Sequence, residues 1–373
     1  MKGTISRWVM LLVLCSLLAA CGGARQVATP TEATSEGTSV GSHALPNLLL
    51  EPGAEVELRR AGWAGFGPAG FGTVLRPGDL VRVAEGGQAD VFCGDQASWA
   101  QGPRRLTGDG QEHGVPCDSG RPPRPWPDVA ALRGPAEEET VYVVRPRNTA
   151  LLSDRPDLVS ESSGTGADSP SMVSVLSDDG KVRAPIRNVQ GIVGWPDAWA
   201  PLQSGATYVL LIGAEQPDAG RTLGRGFWLL DPSSAEEVRA REALLRQLRI
   251  SDAAEVLLVS ELYRSYGLNA EAITLLRRLS EEVPSPPIWL NLGQVYLETG
   301  LPAEATESFE AALRLAEGLG DLPSAGEAHV GLALAAQLED DASTFATHLE
   351  QARKIFEEVG DDQMSQEIER LTD

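Results

Sequence analysis

Hydrophobic residues recur along this chain with several different spacings, and each change of spacing marks a predicted boundary. A largely apolar run from Trp8 to Ala20 follows Lys2 and Arg7. Gly22 to Ala44 then contains no Leu, Ile, Phe or Trp, which predicts a flexible tether over 21–44. From Leu45 to about Asp128, short β-prone stretches (Glu55 to Arg60, Thr73 to Leu75, Leu80 to Val83, Ala89 to Cys93) are separated by turns at Pro52-Gly53, Pro77-Gly78-Asp79 and Gly86-Gly87. This pattern predicts an all-β domain over 45–128, ended by the proline-rich run from Pro122 to Pro127. A second set, Val141 to Arg145, Met172 to Leu176, Tyr208 to Ile212 and Phe227 to Leu230, predicts another β domain over 138–232.

After Asp231 the composition shifts to Ala, Glu, Leu and Arg with helical spacing, predicting a connecting helix over 233–251 and a helical array over 252–373. An offset of 33 residues maps Val259 onto Leu292, Tyr263 onto Tyr296, Gly267 onto Gly300, Ala272 onto Ala305 and Leu276 onto Phe309. The fullest copy carries Trp289, Leu292, Gly293, Tyr296, Ala305, Phe309 and Ala312, and it resembles the tetratricopeptide repeat (TPR). In such a repeat Gly293, Ala305 and Ala312 are small where two helices approach closely, and the aromatics fill the gaps between them. Gly300 ends the first helix and Pro302 opens the second. A third copy runs from about Ser324 to Gly360, with Phe345 at a position that is usually small. The resemblance implies a concave surface bearing Leu257, Glu261, Arg264, Leu290, Asn291, Gln294, Leu297, Glu298, Val330, Leu334 and Gln337, on which a protein partner would bind. The leucines among these also suit core or cap contacts.

Two further resemblances concern the β regions. The run from Gly72 to Val83, followed by Ala89 to Asp95, resembles the FecR-like extracytoplasmic β domain through its Leu-x-x-Gly-Asp turn and alternating strands. Leu202-Gln203-Ser204-Gly205-Ala206-Thr207-Tyr208 resembles a corner of an immunoglobulin or fibronectin type III sandwich, where the Tyr hydroxyl bonds back to the corner backbone. The early segment Leu158 to Glu161 departs from that pattern by lacking a large aromatic. The predicted fold class is two small all-β domains followed by an α-solenoid of TPR-type helical hairpins.

The apolar run Trp8–Ala20 is short of the roughly 20 residues that span a bilayer, so 1–20 reads as a secretory signal. Leu18-Ala19-Ala20-Cys21-Gly22 resembles the bacterial lipobox, which implies acylation at Cys21 and attachment to a lipid bilayer without crossing it. An ordinary signal with an incidental cysteine is the alternative. Lipidation would place the chain in the cell envelope, outside the cytoplasm, on an outer membrane if the cell has one and otherwise on the outer face of the cytoplasmic membrane. Cys93 and Cys117 are the remaining pair in that oxidising setting. A bridge between them closes a loop of about 25 residues and contributes about 3 kcal/mol on the chain-entropy account; two free thiols are the other possibility.

Charge narrows the partners. With 53 acidic and 31 basic residues the net charge is -22, a surface that repels phosphate backbones and argues against nucleic acid. From Val283 onward there are 18 acidic and four basic residues, which favours basic or apolar peptides at the groove if it is more than a solvated surface. Candidate chemistry is sparse. Gly65 to Gly70 has dinucleotide-type glycines but lies among β turns, and Gly37 to Gly41 has nucleophile-elbow spacing but lies in the tether. His43, His113, His329 and His348 are scattered in sequence. We therefore expect no cofactor, no metal and no enzyme. The expected protein is a noncatalytic, lipid-anchored scaffold that binds protein through its repeats; envelope sensing through the FecR-like part is the alternative. Charge reversal at Glu261 and Glu298 is expected to weaken capture while leaving thermal unfolding almost unchanged.

Overall fold

In a computed structural model the described residues are 44–53, 55–99, 101–129, 141–162, 173–181, 183, 186, 191–212 and 221–372. The predicted signal over 1–20, the acylation site Cys21 and the tether up to residue 43 lie outside them. The first β region comprises β1 (Asn47–Pro52), β2 (Val56–Arg59), β3 (Gly67–Pro68), β4 (Val74–Leu75), β5 (Leu80–Val83), β6 (Gln88–Phe92), the single-turn α1 (Gln96–Trp99), β7 (Arg104–Thr107) and β8 (Glu112–Gly114). They form two four-stranded sheets, β4-β1-β6-β7 and β3-β2-β5-β8. Period-two alternation drives this: in β5, Val81 and Val83 are buried while Leu80 and Arg82 face partly outward. Both sheets feed one core containing Leu49, Val56, Leu58, Val81 and Val91, and the Cys93–Cys117 disulfide lies in it. The turn before β5 is held by buried Asp79, whose carboxylate accepts the Arg76 backbone N–H at 2.9 Å and Arg60 Nε at 3.4 Å. Gly78, at φ 91°, supplies the positive φ that this turn requires.

The second β region contains β9 (Val141–Arg145), β10 (Ala150–Leu151), β11 (Leu158–Ser162), β12 (Val173–Ser177), β13 (Gly191–Val193), β14 (Thr207–Ile212) and β15 (Arg221–Leu229). Its sheets run β10-β15-β14-β12 and β13-β11-β9. Only the β10–β15 pairing among these is parallel. The Gln203 backbone N–H donates to Tyr208 Oη at 2.8 Å, fixing the corner that leads into β14. The bulk absent from Leu158–Glu161 comes from elsewhere: Trp195 and Trp199, edge-on with centroids 5.1 Å apart, are buried beside Leu158, Val175 and Phe227.

Eight helices follow: α2 (Pro232–Leu245), α3 (Asp252–Ser265), α4 (Asn269–Glu282), α5 (Pro286–Thr299), α6 (Pro302–Leu319), α7 (Leu322–Leu338), α8 (Ala342–Val359) and α9 (Asp362–Thr372). Side-chain N-caps from Asp231, Ser251, Asp321, Asp341 and Asp361 start five of them. Gly300, left-handed at φ 72°, closes α5 so that Pro302 can open α6 two residues later. Connections this short force each helix to run back against its predecessor, and consecutive helices pack together from α2 to α9. No described helix is long and apolar enough to cross a membrane.

One ring organises the middle of the array. Phe309 on α6 is fully buried, and a Cβ built on Gly293 of α5 would lie 2.6 Å from its ring. A Cβ on Gly331 of α7 would come closer still. Two helices therefore approach Phe309 across glycines, and α5 and α7 touch one another as well. Leu292, Tyr296, Ala305 and Ala312 are buried around it, and Trp289 packs partly buried against the same core.

The β regions do not stand apart from the helices. Phe71, Phe92 and Trp99 share a core with Leu257, Leu262 and Ile288. Ser285 Oγ donates to the Phe71 carbonyl at 2.8 Å, Trp63 Nε1 to Asp361 Oδ2 at 2.9 Å, and the Ala64 N–H to the Val359 carbonyl at 2.8 Å. From the second region, Asn148 Nδ2 donates to the Thr299 carbonyl at 3.2 Å and the Ala150 N–H to the Gly267 carbonyl at 2.8 Å. The segment His43–Asp373 is accordingly one compact unit.

The tight seating of Phe309 makes a stability prediction. Gly331→Ala should destabilise the chain by about 1–3 kcal/mol, as overpacking does, despite the better helix propensity of alanine. Adding Phe309→Leu to that variant should recover part of the loss in urea unfolding; full stability of Gly331→Ala alone would contradict the packing.

Candidate binding groove

Five of the side chains that the repeat pattern selects lie on the facing sides of α3 and α5 and form one polar network. Glu261 Oε1 accepts Arg264 Nη1 at 3.3 Å and Asn291 Nδ2 at 2.5 Å. Arg264 Nη2 bridges to Gln294 Oε1 at 3.4 Å and to Glu298 Oε1 at 3.2 Å. Helical geometry accounts for the set: Asn291, Gln294 and Glu298 recur at i, i+3 and i+7 on α5, opposite Glu261 and Arg264 on α3. The Arg264 side chain is 2% exposed and that of Glu261 7%, so the ion pair sits in a low-dielectric setting.

The same face is covered by the chain itself. After β8 the segment Arg121–Val129 runs without helix or strand up to a 3-10 turn at Val129. Its Arg124 Nη1 reaches Glu298 Oε1 at 3.5 Å, its Trp126 ring lies tilted against Phe309 at 6.1 Å, and its Val129 is buried in the array's core. The predicted groove residues are accordingly all buried or half-buried. Leu290, Leu297, Val330 and Leu334 are buried in the cluster that receives Trp126 and Val129. Leu257 is buried in the core shared with Phe71. Asn291, Gln294, Glu298 and Gln337 are half-buried. Apolar area that a free groove would leave in water is removed from it here by intramolecular contact. The expectation that reversing Glu261 and Glu298 spares stability is corrected as well, because it would strand the buried Arg264 charge.

A cavity of about 110 Å³ remains between this segment, the first β region and the helices. Arg60, Arg76, Arg121, Arg124 and Arg264 line it together with Glu261, Asp321 and Glu327. Burial, then the like charge of Arg264, holds the Arg124 guanidinium down to about 10. Burial, then Arg60, lowers Arg76 in the same way. Burial raises the carboxyls of Glu327, Asp321 and Asp79 above their ordinary range. Arginine N–H groups in such a space also go short of acceptors: among the described residues, Arg124 Nε and Nη2, Arg264 Nε and Arg76 Nε are buried without a hydrogen-bond partner.

Outside the groove the fold brings together two histidines that are far apart in sequence. His329 on α7 and His348 on α8 meet through their Nδ1 atoms at 3.0 Å. Burial, then the neighbouring His348, holds His329 down to about 4; burial also lowers His348, against the pull of Glu310 on α6. Among the described residues no group of three or more His, Cys, Asp or Glu is placed to hold a metal ion.

Sequence reasoning found the inner-face polar residues but missed Arg124, Trp126 and Val129, reading their segment as a domain end. The usable signal was an arginine and a tryptophan set among prolines, which a solvated linker does not need. Comparison of the chain with protein-family models and with curated proteins finds no match.

Arg264→Met should cost about 3–5 kcal/mol, the penalty for breaking a buried ion pair, whereas Arg124→Met should cost clearly less because its pairing is long and incomplete; equal losses in denaturant unfolding would contradict the network. For the histidines, the folded-state pKa values lie below the ordinary 6.5, so the unfolded chain binds more protons in acid. Their contribution to stability is complete above pH 6.5 and falls away toward about 4. A His329→Gln/His348→Gln variant should lose less melting temperature than the parent between those pH values, and parallel curves would exclude the effect.

Proposed function

We propose that this chain is a lipid-anchored, extracytoplasmic scaffold without catalytic function, which binds protein through its C-terminal helical array. The observation that carries the reading is that α5 and α6 already hold a peptide segment without helix or strand, Arg121–Val129, by ion-pair, aromatic and apolar contact. A surface that holds one such segment by side-chain contacts has the physical equipment to hold another. The repeat resemblance is supported by successive helices of similar length, by Gly293 facing Phe309, and by the Gly300 and Pro302 boundary. The immunoglobulin-like reading is supported by the two-sheet strand order, the parallel β10–β15 edge and the Tyr208 corner bond. The FecR-like reading rests on the Asp79 turn and the alternating strands β5 and β6. Anchoring rests on the residues around Cys21 alone.

The test joins location to capture. Cys21→Ala should move the chain from the membrane to the soluble fraction, and unchanged fractionation would remove the anchor. A photocrosslinker at Gln294 or Gln337 in intact cells should join the chain to a discrete envelope protein, while one at exposed Glu369 should not. Failure at both groove positions, or equal labelling at Glu369, would remove the scaffold reading.

A further inference from the structure

The exposure of the segment across the groove has a period of three. Pro122, Pro125 and Asp128 are exposed, while Arg121, Pro123, Arg124, Trp126 and Pro127 are half-buried and Val129 is buried. A left-handed polyproline II helix has three residues per turn, so one of its three edges faces solvent while the other two pack against a groove. The composition fits: proline occupies positions 122, 123, 125 and 127. Such a segment loses little conformational entropy when it docks, and it binds through side chains against an aromatic-lined surface. Here that surface offers Phe309 to Trp126 and Glu298 to Arg124.

The intramolecular fit is incomplete. Glu298 is already shared with Arg264, and among the described residues two guanidinium nitrogens of Arg124 are buried without acceptors. A cavity lies beside it, and the Arg121 N–H is tied to the Leu45 carbonyl at 2.9 Å, which fixes the segment's register. A free peptide is under no such constraint. The acidic helices from Val283 onward complement a cation in the bound segment.

We propose that the inner face of the helical array is a reader of polyproline segments, that Arg121–Val129 is its built-in competitor, and that the external occupant is a proline-rich segment of another protein carrying an arginine followed two residues later by a tryptophan. This rests on the scaffold reading and deepens it by naming the partner's chemistry. Tethering gives the internal segment an effective concentration of order millimolar for a short connection, so it masks the groove from weak ligands and yields to well-matched ones.

The probe is a synthetic peptide of residues 121–129, with a scrambled peptide as control, titrated against the full chain. The proteins are the parent and Arg124→Ala/Trp126→Ala, with Arg124→Ala alone as a milder variant should the double one unfold. The peptide should bind the weakened variants roughly tenfold or more tighter than the parent and raise their melting temperature, while the scrambled peptide does neither. Equal binding to parent and variants, or none to a folded variant at millimolar peptide, overturns the proposal. A weakened variant that doubles in mass and excludes the peptide also overturns it, by making a second copy of this chain the occupant. Groove photocrosslinking that persists in the absence of peptide binding overturns this inference alone and leaves the scaffold reading standing.

Discussion

The burial of the helical array's inner face against the chain's own N-terminal half is the contact on which the rest of the structure depends. Apolar helix faces such as those carrying Leu257, Leu290, Leu297, Val330 and Leu334 have to be taken out of water. Here Leu257 shares a core with Phe71, and the other four share one with Val129, against which Trp126 packs. Remove that cover and the buried ion pair of Arg264 with Glu261 and Glu298 would be hydrated from one side, while the Phe309 ring would lose its contact with Trp126. The β regions thereby become structural parts of the helical array, and the array becomes part of their core.

The same contact explains why polar groups are arranged as they are. Arginines and carboxylates converge where the first β region, the proline-rich segment and the helices meet, and burial shifts several of them in the direction of the neutral form. A seam satisfied to this incomplete degree is less committed than an apolar core. It suits a surface whose cover can be exchanged, whereas Phe309 between Gly293 and Gly331 suits a centre that stays fixed.

Much of the local structure was legible because its signals are short-range. Alternation marked Leu80–Val83, turn chemistry marked Pro77-Gly78-Asp79, and the 33-residue offset with Gly300 and Pro302 marked α5 and α6. The order of β sheets followed by helices came from the change of composition after Asp231. Long-range packing was not legible. Trp195 and Trp199 supply a core from outside the early strands, and α3 meets the first β region across some two hundred residues, as in the Ser251 N–H to Glu51 Oε1 bond at 2.8 Å. At the groove, the polar residues named from the repeat resemblance meet in one network, but the segment packed on them was invisible, because a proline-rich run has no periodic apolar signal to announce what it touches.

The most direct measurement of the central contact is a magnetisation-transfer experiment between aromatic rings in the full chain, with tryptophan and phenylalanine selectively labelled. With ring centroids 6.1 Å apart, Trp126 and Phe309 should give a cross-peak that disappears in Trp126→Ala. A folded chain with no such cross-peak, and with Trp126 indole resonances at their solvent-exposed positions, would mean that the groove stands open and would contradict the account.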